Sequence, residues 1–146
     1  MAEKACVLDT SIVVKWYTQE SDSEDALELL KHITTNNTFI LVPDLILYEL
    51  ANSLRWNSRF TDKDVQDALI AFVSLGFHVQ PPSLDLLLKA TSLAYSNTCA
   101  VYDATFLALA QENTCPLITA DIKFAKAAQS KTVLTMQEFL NKLASQ

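Results

Sequence analysis

Positive charge is scarce in this sequence. Its 11 lysines and arginines face 17 aspartates and glutamates, giving a net charge of −6 and a pI near 4.7. That balance excludes a broad basic surface for nucleic acid. Any contact with RNA or DNA has to come from a local basic strip or through metal ions, while a basic protein partner would suit the same charge. Long apolar runs are missing as well: half the residues are hydrophobic, yet none of the runs approaches the ~18 residues of a membrane span. Glu3 stands at the start, and Asp9 comes too soon for a signal-peptide core. Cysteine is limited to Cys6, Cys99 and Cys115, with no CxxC and no way for all three to pair. They read as small buried hydrophobes of a cytoplasmic protein kept reduced. His32 and His78 are not spaced as ligands. There is no repeat, linker or low-complexity stretch. With 146 residues, the chain is expected to form one domain over 1–146 and to bury roughly 68–70% of its unfolded surface.

What is present alternates between short β-rich runs and longer helical ones. Strands are predicted at Ala5–Asp9, Thr38–Val42, Phe77–Gln80, Pro116–Thr119 and Thr132–Leu134. All are nearly continuous apolar runs, the pattern of strands buried on both faces. Helix starts lie between them. Ser21 with Glu24, Thr61 with Asp64, and Thr135 with Glu138 fit capping boxes. Asp44 after Pro43 is placed to cap a helix running to about Asn57, and Ser83 one running to about Ser96. Gly76, the only glycine, falls where a helix should stop before the Phe77 strand. The expected fold is α/β: a mostly parallel sheet of about five short strands with helices on both faces. Ligands of such sheets bind at the carboxyl ends of the strands.

Four acids stand almost alone within apolar sequence. Asp9 is the only charged residue between Lys4 and Lys15, and Glu49 the only one between Asp44 and Arg55. Asp103 is alone between Lys89 and Glu112, as is Asp121 between Glu112 and Lys123. A carboxylate drawn towards a core is costly unless it is paired or holds a metal. Asp9 ends the first strand and Asp121 lies just past the fourth, so both are expected at the carboxyl edge. Glu49 sits in the second turn of the helix that leaves the second strand. Asp103 is expected to open the helix ending at Glu112, with its N-terminus at the same edge. Plainer roles are open to each. Asp9 could cap the helix entered through Thr10–Ser11, Asp103 could be an ordinary N-cap, and Asp121 could cap Ile122–Ala128; mid-helix Glu49 has no such role.

Two unit charges 4 Å apart repel by about 4 kcal/mol at an effective dielectric of 20. Four carboxylates in one pocket therefore need protons or a cation. Oxygen ligands without histidine or thiolate favour Mg²⁺ or Mn²⁺ over zinc. One or two such ions orient a water of lowered pKa against a phosphodiester and stabilise the leaving oxygen. The residues alone thus point to metal-assisted phosphodiester hydrolysis.

Val7-Leu8-Asp9-Thr10-Ser11, Tyr48-Glu49-Leu50-Ala51-Asn52, Tyr102-Asp103-Ala104 and Leu117-Ile118-Thr119-Ala120-Asp121 resemble the four signature segments of PIN domains. Their order, spacing and overall length are most similar to the VapC-like toxins of prokaryotic toxin–antitoxin modules. The resemblance spans the whole chain and implies an α/β/α sandwich with Mg²⁺- or Mn²⁺-dependent ribonuclease activity. By matching position, Asp9 and Asp103 would be metal ligands and Glu49 a ligand or water-orienting base. Asp121 would be a more peripheral fourth acid, with Ser11 and Thr119 as supporting hydroxyls. A homodimer is common in the family, and its toxins are restrained by a partner antitoxin. Lys123, Lys126 and Arg55 are candidates for phosphate contact, and Trp16, Trp56 and Tyr48 for stacking on bases, although solvated faces and core packing compete with these roles. Other classes fit less well. A haloacid-dehalogenase-like phosphatase needs a second acid where Ser11 stands. A phosphorylated receiver domain needs an early acid pair, and Glu3 is too far from Asp9. A PIN scaffold that only binds RNA or protein is the remaining alternative.

Overall fold

A computed structural model describes residues 4–146 of the chain. Five strands form one sheet: β1 Ala5–Leu8, β2 Phe39–Pro43, β3 His78–Gln80, β4 Leu117–Thr119 and β5 Val133–Thr135. Their order is β3-β2-β1-β4-β5 and every pairing is parallel. Each strand begins and ends within a residue of its sequence prediction. The runs Cys6–Leu8, Ile40–Pro43 and Leu117–Thr119 are wholly buried, which is why they show no polar alternation.

Eight helices connect and cover the strands. They are α1 Thr10–Lys15, α2 Ser23–Thr35, α3 Leu45–Arg55, α4 Asp62–Ser74, α5 Leu84–Asn97, α6 Val101–Glu112, α7 Ile122–Ala128 and α8 Met136–Ala144. The chain walks from β1 to β3 in one direction and from β3 through β4 to β5 in the other. Right-handed crossovers then put α1–α4 on one face and α5–α7 on the opposite face. Helix α8 packs on β5 and against α2. The result is a three-layer α/β/α sandwich whose parallel strands turn at β1/β4. That is the switch point where such sheets open a crevice at their carboxyl ends.

Local signals explain most boundaries. Thr61 and Asp64 form a reciprocal capping box, while Ser83 and Thr135 accept from the backbones of Leu86 and Glu138. Gly76 follows α4 at φ +75°, the left-handed stop that a side chain would strain. Two predicted caps fail. Ser21 lies outside α2, whose N-cap is Asp22 with no side-chain bond; the chain is held there by Ser23, which accepts from Glu20 N and donates to Thr18 O. Asp44 has helical φ and ψ, not the extended backbone of a capping residue, and its side chain makes no cap bond; its N–H bonds to Gln80 O and carries β2 directly into α3. Cys6 and Cys115 are buried, Cys99 is half-buried, and all are free thiols. Burial pushes the Cys6 thiol up to about 12, so it behaves as a small hydrophobe.

Candidate functional site

Asp9 leaves β1 at the carboxyl edge, where its N–H bonds to Ile118 O at 3.0 Å and ties it to β4. Only 8% of the residue is exposed. It occupies the N-cap position of α1, but its carboxylate caps nothing. The Ser11 hydroxyl instead donates to Oδ2 at 2.6 Å, and the Thr119 hydroxyl donates to the same oxygen at 2.9 Å. Each hydroxyl has one proton to give, so the 3.2 Å separation of Ser11 Oγ and Thr119 Oγ1 is a contact across a shared acceptor. The hydroxyls are fixed in turn, since Ala120 N donates to Ser11 Oγ and Asp121 N donates to Thr119 Oγ1, each at 3.0 Å. Both hydroxyl bonds fall on Oδ2, and Oδ1 has no hydroxyl partner.

Glu49 is half-buried on α3, one turn from the inward-facing Ile46 and beside Leu50. Thr10, the residue after Asp9, donates its hydroxyl to Glu49 Oε1 at 2.8 Å. Sequence reading missed Thr10. Its position beside Asp9 was visible, but a bond spanning 39 residues leaves no local signal. Asp103 is the third residue of α6, which starts two residues earlier than predicted with Ala100 as its N-cap. It is therefore no cap, and no hydrogen bond offsets its burial. Asp121 does have a structural role: it caps α7 by accepting from Phe124 N at 2.9 Å.

Three of the four acids have pKa values raised in part by the charge of another acid of the set. Burial raises the pKa of Asp9, and the charge of Asp121 raises it further against the lowering effect of Ser11, Thr119 and the Thr10 backbone. Burial also raises Glu49, with Asp9 and Asp103 adding to the effect and the Thr10 hydroxyl opposing it. Asp103 is raised by burial and then by the charges of Asp9 and Asp121. Each acid thus senses at least two others or is sensed by them. Among the described residues, no three His, Cys, Asp or Glu side chains are already drawn together as a cage for an ion. The donor set itself fits a hard divalent cation: all ligands are oxygens, Asp103 has no hydrogen bond, and one oxygen of Asp9 lacks a hydroxyl partner.

The residues expected to contact phosphate are on α7 and at the end of α3. Lys123 and Lys126 are exposed on α7, directly after Asp121, and neither has an ion pair among the described residues. Arg55 ends α3 away from the acids, with its guanidinium 4.9 Å from the Trp56 ring centre. Trp16 is tied inward by its indole N–H to Ala26 O at 2.8 Å and is unsuited to stacking on a base. His32 packs edge-on against Phe139 and His78 lies over Phe39; both have structural roles.

A sequence profile described as the PIN domain matches residues 6–130. No curated protein matches the sequence. Among solved structures, PAE2754 from Pyrobaculum aerophilum is similar over 100% of this chain and 98% of its own, at 22% identity and TM-score 0.69. VapC20 from Mycobacterium tuberculosis, described as a sarcin–ricin loop cleaving toxin, aligns with 84% of this chain and 94% of its own, at 18% identity and TM-score 0.66. FitAcB from Neisseria gonorrhoeae aligns with 90% and 98%, at 15% identity and TM-score 0.67. At these identities the three share its fold.

Proposed function

This chain belongs to the PIN domain family, and from that premise we propose that it is a Mg²⁺- or Mn²⁺-dependent endoribonuclease, the toxin of a toxin–antitoxin pair. The observation that supports the reading is the placement of Asp9 at the end of β1 and of Asp121 just past β4, with Asp9, Glu49 and Asp103 each raised in pKa by burial and by the charge of another acid of the set. Asp9 and Asp103 would hold the cation, with Asp121 completing the acidic rim from the cap of α7. A bound Mg²⁺ or Mn²⁺ supplies a water of lowered pKa and neutralises charge at the phosphodiester. Glu49, steadied by Thr10, would take the proton that the attacking water gives up. Its raised pKa brings it nearer the operating pH, as general-base work favours. Ser11 and Thr119 hold the Asp9 carboxylate by Oδ2, leaving Oδ1 without a hydroxyl partner.

RNA as substrate and an antitoxin as partner rest on analogy with structures that share the fold. One is a toxin described as cleaving the sarcin–ricin loop, and another is a toxin–antitoxin complex from Klebsiella pneumoniae. A cytoplasmic homodimer is proposed on the same footing. The test is cleavage of a labelled RNA with Mg²⁺ or Mn²⁺ by wild type, Asp9→Asn and Asp103→Asn. Cleavage by wild type alone, with all three proteins folded, is the expected result. Undiminished cleavage by either variant removes the assignment, and no cleavage by wild type with either metal leaves a PIN scaffold that only binds.

A further inference from the structure

The amino ends of the strands border a separate depression, at the opposite end of the sheet from the carboxylates. Cys6 near the start of β1, Thr38 just before β2 and Pro116 just before β4 line it, and α8 forms one side. Its volume is about 430 Å³, within the ~300–1,000 Å³ of small-molecule sites. The floor is apolar: Cys6 and Cys115 are buried, with Leu134, Phe139 and Leu143 partly buried beside them. The rim is basic. Lys4 and Lys142 are exposed there, and neither has an ion pair among the described residues. His32 of α2 joins them, its ring edge-on to Phe139 of α8 with centroids 6.2 Å apart. Asn36 Nδ2 lies 3.1 Å from His32 Nδ1 and also donates to His32 O at 2.9 Å. An amide nitrogen only donates, so Nδ1 accepts and the ring keeps its proton on Nε2. Burial raises the Cys6 thiol, Cys115 adds to the rise and the Lys4 ammonium opposes it, so rim and floor are close neighbours.

We propose that this depression binds a small aromatic anion, a carboxylate or sulfonate carried on one or two fused rings. The inference is independent of the nuclease reading, because none of the four acids lines the site. Charge is the first argument. In a chain of net charge −6, acids line other grooves: Asp64 and Asp67 on α4, Glu20 after α1, and Asp44 before α3. No aspartate or glutamate lines this one. Two ammonium groups and an imidazole N–H thus share one rim with no carboxylate to answer them, which favours an anion from outside and the strong hydrogen bonds it accepts. The floor is the second argument. An inorganic anion would leave it bare, whereas an apolar body attached to the charge is driven to cover it. Phe139 and His32 add an aromatic wall, and the thiols of Cys6 and Cys115 a soft, polarisable base, both suited to a flat ring.

The test is isothermal titration calorimetry of the whole protein with 2-naphthoate, its neutral counterpart 2-naphthamide, and decanoate. A chelator is present throughout, so that no cation at the carboxylates attracts the acids. Wild type is expected to bind a single 2-naphthoate about tenfold or more tightly than the amide, a preference of the size that hydrogen bonds to a charged group give. Decanoate is expected to bind about tenfold more weakly than 2-naphthoate. The double variant Lys4→Glu with Lys142→Glu should lose about tenfold or more in affinity for 2-naphthoate and bind the amide as before. Both lysines are exposed, and an unchanged melting temperature will show that the variant folds. Leu143→Trp, which fills the floor, should weaken acid and amide alike about tenfold. Equal affinity for acid and amide overturns the site, as does no binding of 2-naphthoate at millimolar concentration. Unaltered 2-naphthoate binding by the double variant or by Leu143→Trp, each folded, places the ligand elsewhere and overturns it too. Decanoate binding as tightly as 2-naphthoate overturns the aromatic class.

Discussion

Helix α6 and helix α3 each bring an acid to the carboxyl edge of the sheet, and they hold it by different means. Helix α6 is buried without a break from Ala104 to Ala110, packed on β1, β2 and β4 and against α5. Asp103 therefore stands at the end of a post whose position is set by the core. Helix α3 buries only Ile46, Leu50 and Leu54 and leaves its other side to solvent. Its Glu49 is steadied by one hydroxyl from Thr10. Placement by packing resists change and tolerates none. Placement by a single hydrogen bond leaves the other side of the helix tolerant of change.

The contrast is most open to breakage through stability. Phe106 on α6 is fully buried, and Phe106→Ala is expected to cost about 3–5 kcal/mol. Tyr48→Ala on α3 should stay within about 0.5 kcal/mol, as exposed substitutions do. Urea unfolding measures both, and similar costs would dissolve the distinction. A sharper test is Thr10→Val, which removes the donor to Glu49. Turnover should fall about tenfold with KM little changed, while stability drops by about 1 kcal/mol, the net worth of one hydrogen bond. Steady-state kinetics beside thermal unfolding decides it, and unaltered turnover would mean that Glu49 needs no steadying.

The smallest effect is on pH dependence. Asp9, Glu49 and Asp103 all have raised pKa values in the fold. A raised acid contributes stability below its unfolded value of about 4 and loses it as pH climbs through its folded value. Metal-free protein should therefore lose part of its stability as pH rises above about 4. Asp103→Asn should flatten that slope. Asp64, held down by the backbone N–H and hydroxyl of Thr61, acts in the opposite direction in both proteins and cancels from the difference. Parallel slopes in melting-temperature series would show that Asp103 is not the strained acid assigned here.

Much of this was readable before any coordinates. The buried strands β1, β2 and β4 announced themselves because a strand covered on both faces has little polar sequence to blur it. The lone acids stood out because a charge in apolar sequence needs a reason. The misses have different causes. Ser21 matched a local cap pattern, but the neighbouring Ser23 makes the bonds that hold that turn, while Asp44 is tied by its backbone to the distant Gln80. Helix α6 begins at Val101, since Ala100 serves as its N-cap without a side-chain signal. Asp121 turned out to cap α7 and to face the other acids as well, two roles that its sequence context treats as rivals. The Thr10–Glu49 bond and the pairing of Ser11 with Thr119 on one oxygen join residues far apart in the chain, and only the parallel sheet brings them together.

The most direct test is thermal unfolding of wild type, Asp9→Asn and Asp103→Asn across a Mn²⁺ titration. A shared carboxylate site should stabilise wild type by about 2.7 kcal/mol when Mn²⁺ reaches 100 times its Kd, with the shift abolished in both variants. A melting temperature that stays flat for wild type through millimolar Mn²⁺, or that rises equally in all three, would contradict a cation held between Asp9 and Asp103.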